Sequence, residues 1–580
     1  MKQLLTGNEA IARGAWEAGV CFASAYPGTP STEITEVISG YKEIHAEWAP
    51  NEKVALEAGI GACFGGVRTL VCMKHVGLNV AADPFCTLSY TGVSAGLVLL
   101  CADDPDMHSS QNEQDNRYYA RLAKVPMLEP SSSQEAKDFI KLAFELSEEY
   151  DTPVLVRVTT RISHSRGIVD LGERVEFARK PFKSDPQKYV MVPVNARMRH
   201  RVVLERQKKF AEFSDNTPLN RIEPGEGDIG IISASVAYQY AREVYPNAPF
   251  LKIGFTNPMP KNLIREFAKD KKQIYVVEEL EPFMEEQIAA MGIPVTGKEK
   301  LPDYGELNPD VVRGGFIEQR TAHPVEDITE LPKRPPNLCP GCPHRGLFAA
   351  IKPLKPVIFG DIGCYTLSVL PPLSSHDSCV CMGASIGVSY GYGKVGGNED
   401  RKSVGVLGDS TFLHSGLTGV LEMAYNKGVN TVIILDNRTT AMTGGQNHPA
   451  TGKTLKGEET NSVDLAALCK ALGVSRVFTV NPLNLKETRE VVKREMATEE
   501  PSVVISSEPC PLIFRKRSAP FVVDEEKCKE CGACLQINCP AATKRGEKAF
   551  IVNHLCNGCG VCAQLCKFDA IVRTEAPAKA

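Results

Sequence analysis

Apolar and polar positions come in blocks along this chain, and the clearest block runs from Ser403 to Thr443. Val404 to Leu407 is a short apolar run that predicts a buried strand. Leu417, Val420, Leu421 and Ala424 follow at i, i+3, i+4, i+7 spacing and predict a helix, closed by Lys427 and Gly428. Val432 to Leu435 predicts a second strand, which delivers Asp436 and Asn437. A strand–helix–strand unit makes its two strands parallel neighbours. Their C-terminal ends then lie side by side, where open α/β sheets bind ligands.

The same patterning divides the rest of the chain. Residues 1–170 predict an α/β domain, with a helix over Asn8–Glu17 and a strand entering the rigid loop Tyr26–Ser31. An Ala/Gly-rich helix spans Glu52–Phe64, and strands fall at Thr69–Met73, Leu97–Cys101 and Thr152–Val158. Residues 171–226 are charge-rich and predict a linker; its basic run Arg197–Arg206 reads as a solvated helix or linker instead of a phosphate contact. Residues 227–317 predict a second α/β domain. Residues 318–336 predict another linker, since Pro324–Pro336 holds four prolines. Residues 337–515 form the third α/β domain, and 516–580 a small cysteine-dense one. The expected fold class is therefore α/β: three parallel-sheet domains and a small C-terminal module.

Composition narrows the class. A chain of 580 residues, 43% hydrophobic and 23% charged, is a globular protein of several domains. A net charge of −4 gives no reason to expect nucleic acid. No run of about 18 apolar residues predicts a membrane span, and the N-terminus lacks the apolar core of a signal peptide. The expected location is the cytoplasm. Of the 20 cysteines, eight fall within 528–566, which points to metal ligation in a reducing compartment.

Two patterns carry chemistry. Asp409 and Asn437 end adjacent strands, so their oxygens converge as Mg²⁺ favours, and the helix after Ser410 aims free N–H groups at the same place, which suits a diphosphate. Cys528, Cys531 and Cys534 are spaced CxxCxxC with Cys539 following; Cys556, Cys559 and Cys562 repeat the spacing with Cys566 following. Two such runs predict a bacterial-type ferredoxin module with two [4Fe–4S] clusters. In such modules the fourth cysteine of each run serves the other cluster. One ligand set is then Cys528, Cys531, Cys534 and Cys566, and the other Cys556, Cys559, Cys562 and Cys539. Four residues separate Cys534 from Cys539, and Lys567 follows Cys566 where proline is usual. Paired zinc sites are the alternative, which the triple spacing disfavours.

Gly408-Asp409-Ser410, followed one helix later by Asn437, resembles the thiamine-diphosphate signature, with serine at its third position. The resemblance implies Mg²⁺ ligands at Asp409, Asn437 and the Thr439 carbonyl, with Gly408 and Ser410 beside the cofactor. YPGTPS, LEAGIGA, CPGCPHRG, GDIGCYT, CMGASIG and GDSTFLHSG extend it over nearly the whole chain. Together they resemble the 2-oxoacid:ferredoxin oxidoreductases, in particular the branch acting on aryl 2-oxoacids such as indolepyruvate and phenylpyruvate. That family implies coenzyme A-dependent oxidative decarboxylation, with reduction of ferredoxin. It implies that Glu57 bonds N1′ of the aminopyrimidine, with Glu52 the neighbour most easily confused with it, and that Thr29 contacts the 2-oxoacid. His75, after a strand end, is a further candidate whose alternative is a structural role. Cys339, Cys342, Cys364 and Cys510 match a third [4Fe–4S] set; reduced thiols or a zinc site are the alternatives. The assigned regions use all 580 residues and leave none for the family's gamma-type domain. A smaller second subunit and two copies of this chain per complex are therefore expected. A non-redox thiamine decarboxylase and an electron-transfer scaffold are the competing functions.

Overall fold

Leu97–Asp103, Thr69–Lys74 and Val154–Thr159 are buried at every position. Strands covered on both faces belong in a parallel sheet flanked by helices. In the computed structural model they lie inside a seven-stranded sheet. Its order is Phe255–Asn257, Met127–Leu128, Val154–Thr159, Leu97–Asp103, Thr69–Lys74, Phe22–Ala25 and His45–Trp48. All neighbours are parallel except Phe255–Asn257, which runs antiparallel to Met127–Leu128. The structure describes residues 1–317, 335–515 and 517–574. It divides into two compact units, 1–327 and 328–580. Most of the expected linker 318–336 lies outside the described residues.

Two expectations for the first unit need correction. The stretch 171–226 is not a linker throughout: it contains the helix Pro193–Asn216 and the strand Arg221–Glu223. The helix is held by its own basic run. Arg206 is buried and donates to Asp151 Oδ2 at 2.9 Å, and Arg199 reaches the same oxygen at 3.2 Å. Asp151 thus occupies two arginines of the run. Nor does 227–317 stand apart as a domain. Its four-stranded sheet runs Gln273–Val277, Ile229–Ala234, Phe250–Ile253, Arg221–Glu223, but Phe255–Asn257 joins the seven-stranded sheet.

A buried ion network ties these parts together. Arg117 Nη1 donates to Glu278 Oε2 at 2.5 Å, and its Nη2 to the carbonyls of Glu279 and Glu281, both at 2.9 Å. Its Nε takes Asp115 at 2.9 Å. Arg157 is held likewise by Asp103 and Glu129, at 2.7 and 2.5 Å. Each guanidinium is nearly sealed from water, so removing one partner would strand a buried charge.

The second unit is built on a six-stranded, all-parallel sheet. Its order is Ser378–Cys379, Val357–Gly360, Ser403–Gly408, Thr431–Asp436, Ser502–Ser507 and Arg476–Val480. The expected strand–helix–strand block is its centre. The cysteine-dense segment adds two antiparallel pairs, Phe521–Val523 with Ile571–Arg573 and Ala542–Arg545 with Lys548–Ile551. Among the described residues no helix is long and apolar enough to cross a membrane.

Glu279 reports on the first unit's interior. Burial raises its carboxyl to about 7, although the Leu307 N–H it accepts at 3.1 Å and the charge of Arg157 pull the other way. A carboxyl raised in the fold adds stability at low pH, lost as pH rises from about 4.5 through about 7. Glu279→Gln should therefore match wild type near pH ~4 and exceed it by about 3 kcal/mol near pH ~8. Denaturant midpoints of the full chain measure this; equal midpoints at the higher pH would contradict it.

Candidate active site

In the second unit, the carboxyl ends of Ser403–Gly408 and Thr431–Asp436 bring Asp409 and Asn437 together as expected. Both side chains are buried. Asp409 Oδ1 accepts the Ser410 N–H and Oδ2 the Arg438 N–H, each at 2.8 Å. Arg438 has a φ of +60°, a left-handed conformation that costs a non-glycine residue energy and often marks a functional turn. The turn places the Thr439 N–H on Asn437 Oδ1 at 3.2 Å. Ser410, where the signature has glycine, accepts the Thr440 hydroxyl at 2.9 Å. Gly408 N–H donates to the buried Tyr365 hydroxyl at 3.0 Å, which in turn donates to the Ile362 carbonyl at 2.9 Å. A carboxylate, an amide oxygen and a nearby carbonyl are hard donors of the kind Mg²⁺ takes, so the residues fit a metal-bridged diphosphate.

Two histidines lie near Asp409: His448, and His344 of the CPGCPHRG motif. His448 Nδ1 accepts the Ala450 N–H at 3.3 Å, which leaves the proton on Nε2. That nitrogen lies 3.2 Å from Asp409 Oδ2, off the line of a hydrogen bond. His344 is lowered to about 4 by burial, against the pull of Asp409.

The thiols form groups. Cys528, Cys531, Cys534 and Cys566 ring one cavity walled by Val523, Ala549 and Ile571. Cys539, Cys556, Cys559 and Cys562 ring a second, walled by Phe521, Ile537 and Ile551. Burial and then its three partner thiols raise Cys562 to about 12. Cys534 is raised by burial and then by Cys566, Cys531 and Cys528. Among the described residues no three His, Cys, Asp or Glu side chains converge on a single metal ion. Eight thiols around two apolar cavities instead suit two cubanes.

Cys339, Cys342, Cys364 and Cys510 also approach one another. Burial raises Cys339 and Cys364, and each is raised further by Cys510. Burial raises Cys342 strongly, with Cys364 and Cys339 adding to it. This set touches both neighbours. The Cys510 N–H donates to the Asn437 carbonyl at 3.0 Å. On the other side, Pro340 and Gly341, between Cys339 and Cys342, line the cavity of Cys539 and Cys556. Arg345 bridges them, donating to the Cys339 carbonyl at 3.1 Å and to the Ile537 carbonyl at 2.6 Å.

In the first unit the carboxyl edge of the parallel strands gathers the other candidates. Thr29 is half-buried in the loop after Phe22–Ala25, and its carbonyl accepts the Ser109 hydroxyl at 3.3 Å. His75 is fully buried, contacts the Asn112 carbonyl at 3.1 Å and is lowered to about 4 by burial, which fits the structural role. Glu57 and Glu52 differ in setting. The Glu57 side chain is 45% exposed and ion-paired with Lys53, one turn back on the helix Glu52–Phe64. Glu52 is only 4% exposed. It opens that helix at the carboxyl edge, and a Cβ on Gly77 would meet its Oε1 at 2.6 Å. A carboxylate that must keep one cofactor partner needs shelter from water, and Glu52 has it. The edge also holds Lys74, which the sequence reading passed over.

The fold and these edges define a thiamine-diphosphate enzyme of the 2-oxoacid oxidoreductase class. Residues 13–216 match the family described as pyruvate flavodoxin/ferredoxin oxidoreductase, thiamine diP-binding. Residues 361–506 match the thiamine pyrophosphate enzyme C-terminal TPP-binding domain. The first match runs on to the end of the helix Pro193–Asn216, so that helix belongs with the domain before it. The chain is 44% identical to the indolepyruvate oxidoreductase subunit IorA of Methanothermobacter thermautotrophicus, over 98% of this chain and 97% of that one. It is 41% identical to the IorA of Archaeoglobus fulgidus and 40% to that of Pyrococcus horikoshii, again over at least 97% of either chain. The chain belongs to the indolepyruvate oxidoreductase IorA family. It is an oxidoreductase that binds thiamine diphosphate and serves 2-oxoacid:ferredoxin oxidoreduction.

Three outcomes follow from the second unit. Asp409→Ala should lose thiamine diphosphate on gel filtration while keeping its iron; undiminished retention would contradict the metal site. Protein purified without oxygen should carry about eight irons from the eight C-terminal thiols, or about twelve with the third set. Cys539→Ala should disturb the cluster of Cys556, Cys559 and Cys562 and spare that of Cys528, Cys531 and Cys534, as read by electron paramagnetic resonance.

Proposed function

We propose that this chain carries out the coenzyme A-dependent oxidative decarboxylation of aryl 2-oxoacids. One 2-oxoacid, one coenzyme A and two oxidised ferredoxins give an arylacetyl-CoA, CO₂, a proton and two reduced ferredoxins. When bound, thiamine diphosphate supplies the nucleophilic carbon for the 2-oxo group, and the iron–sulfur clusters carry electrons one at a time. The residues here have separate tasks. Asp409, Asn437 and the Thr439 carbonyl hold Mg²⁺ and so the diphosphate, with Gly408 and Ser410 alongside. Glu52, in place of Glu57, accepts the proton-bearing edge of the aminopyrimidine. Thr29 presents its hydroxyl to the substrate.

The observation that supports a redox function over simple decarboxylation is the succession of thiols. Cys510 is bonded to Asn437, its set adjoins the cavity of Cys539, and that set adjoins the last one through Cys562 and Cys534. A decarboxylase that releases aldehyde has no use for such a relay. The curated relatives are named as subunits, and we propose a smaller second subunit, two copies of this chain per complex and a cytoplasmic location. Shielding from water is the physical reason for the partner, since premature protonation would waste the intermediate as aldehyde.

Aryl, branched-chain and short 2-oxoacids assayed against a reducible dye with coenzyme A test the substrate class; a preference for short acids would overturn the aryl assignment. The chain alone should retain cofactor and iron yet turn over poorly, and co-expression with the small subunit should restore oxidation. Full activity from the lone chain would refute the subunit proposal. Glu52→Gln should slow turnover by about 10²–10⁴-fold and Glu57→Gln by no more than about threefold. The reverse ranking would restore Glu57.

A further inference from the structure

Three cations are buried at or beneath the carboxyl edge of the seven-stranded sheet, and they are not alike. Arg117 is neutralised by Asp115 and Glu278, and Arg157 by Asp103 and Glu129. Lys74 is 9% exposed and makes no ion pair among the described residues. Its Nζ donates only to neutral oxygens, the Ser109 carbonyl at 3.0 Å and the Ser110 hydroxyl at 2.8 Å. An ammonium has three donors, so one proton remains for a ligand.

Two carboxylates, Asp104 and Glu52, pull on that charge from nearby, but the ammonium's hydrogen bonds go to neither. Asp104, the nearest carboxylate by its electrostatic pull on Lys74, is already committed. Its Oδ2 accepts the Ser110 hydroxyl at 2.6 Å and the Ser109 N–H at 2.8 Å, and its Oδ1 the Thr160 hydroxyl at 2.8 Å. The lysine stem runs against the Pro27–Pro30 loop, where a Cβ on Gly28 would come within 3.1 Å of Lys74 Cγ. That loop carries Thr29. Ser109 is exposed and Ser110 half-buried, so the ammonium lies just under the surface, within reach of a small anion.

We propose that Lys74 is the cation that receives the carboxylate of the 2-oxoacid substrate. The inference rests on the proposed 2-oxoacid chemistry and adds the group that recognises the acid end. A buried, uncompensated ammonium meets a carboxylate with a charge-assisted hydrogen bond in low dielectric. It thereby distinguishes a 2-oxoacid from the corresponding aldehyde. Burial lowers Lys74 to about 8, against the opposing pull of Asp104 and Glu52. The adjoining His75 is held neutral by burial and does not compete for the anion.

The test uses the holoenzyme with whatever subunit co-purifies, and phenylpyruvate as probe. Lys74→Met should raise KM for phenylpyruvate by about 10- to 100-fold, with kcat within about threefold and KM for coenzyme A unchanged. Lys74→Arg should recover part of the loss. An unchanged KM for phenylpyruvate, or a parallel rise in KM for coenzyme A, would overturn the assignment. If Lys74→Met does not fold, wild type decides: its KM for phenylpyruvate should rise about tenfold per pH unit above about 8, and a flat profile up to about pH 9.5 would overturn it. Should wild type oxidise another 2-oxoacid and not phenylpyruvate, the aryl assignment fails, and the same KM readout on that acid still decides Lys74.

Discussion

The carboxylate of Asp409 organises the second unit's chemistry by holding the neighbouring strand end in an otherwise unfavourable turn. Its Oδ2 accepts the N–H of Arg438, a residue at φ +60°. That single contact fixes the residues on either side. Asn437 is turned so that its side-chain oxygen meets the Thr439 N–H, and its carbonyl meets the Cys510 N–H. The turn after Asp436 and a cysteine of the nearest thiol set therefore meet at Asn437. Strain of this kind persists only where several contacts over-determine it. The parallel sheet beneath, buried from Val404 to Leu407 and from Thr431 to Leu435, provides the rigid base.

How much of this was legible in the sequence depends on the kind of signal. Asp409 and Asn437 were legible because a strand–helix–strand unit forces its strand ends together, whatever surrounds it. The cysteines were legible because a repeated CxxCxxC leaves few geometric options, and the two cavities gather the thiols in two fours. Glu52 and Glu57 were not separable by pattern: both lie on one helix, five positions apart, and only burial and the Lys53 pair distinguish them. The helix Pro193–Asn216 looked like a linker because its composition is polar; Asp151, some fifty residues earlier in the chain, is what gives its arginines an interior place. Lys74 and His448 carry no spacing signal at all. Each acquires meaning only from neighbours distant in sequence, Ser110 for one and Asp409 for the other.

The first unit shows how a fold can hold charge in its interior for two different ends. Arg117 and Arg157 are each matched by two carboxylates, and Arg117 by two main-chain carbonyls as well, so the network is a structural clamp between 1–170 and 227–317. Desolvation there is offset by several short contacts in fixed geometry. Asp104 is handled differently. Its oxygens are filled by hydroxyls and an N–H, which satisfy the carboxylate without neutralising Lys74. Hydroxyl and amide donors stabilise an anion and leave a neighbouring cation its charge, the condition for binding a second anion.

The cysteine-dense segment presents the converse problem, since it is too small to fold on apolar burial alone. Its core includes Phe521, Ile537, Ile551, Val561 and Ile571, but also the thiols Cys534 and Cys562, and it extends to Ala350 and Leu485 outside the segment. Arg345 adds a polar anchor, its guanidinium spanning the Cys339 carbonyl and the chain just before Cys539. Iron–sulfur ligation would complete a core whose cavities are already walled by side chains. The same docking that compensates for the module's size also sets Cys539 and Cys556 against the CPGC loop. Stability and electron transfer thus make the same demand on this surface: the module must be seated firmly on the sheet that holds Asp409, because a loosely tethered one would satisfy neither.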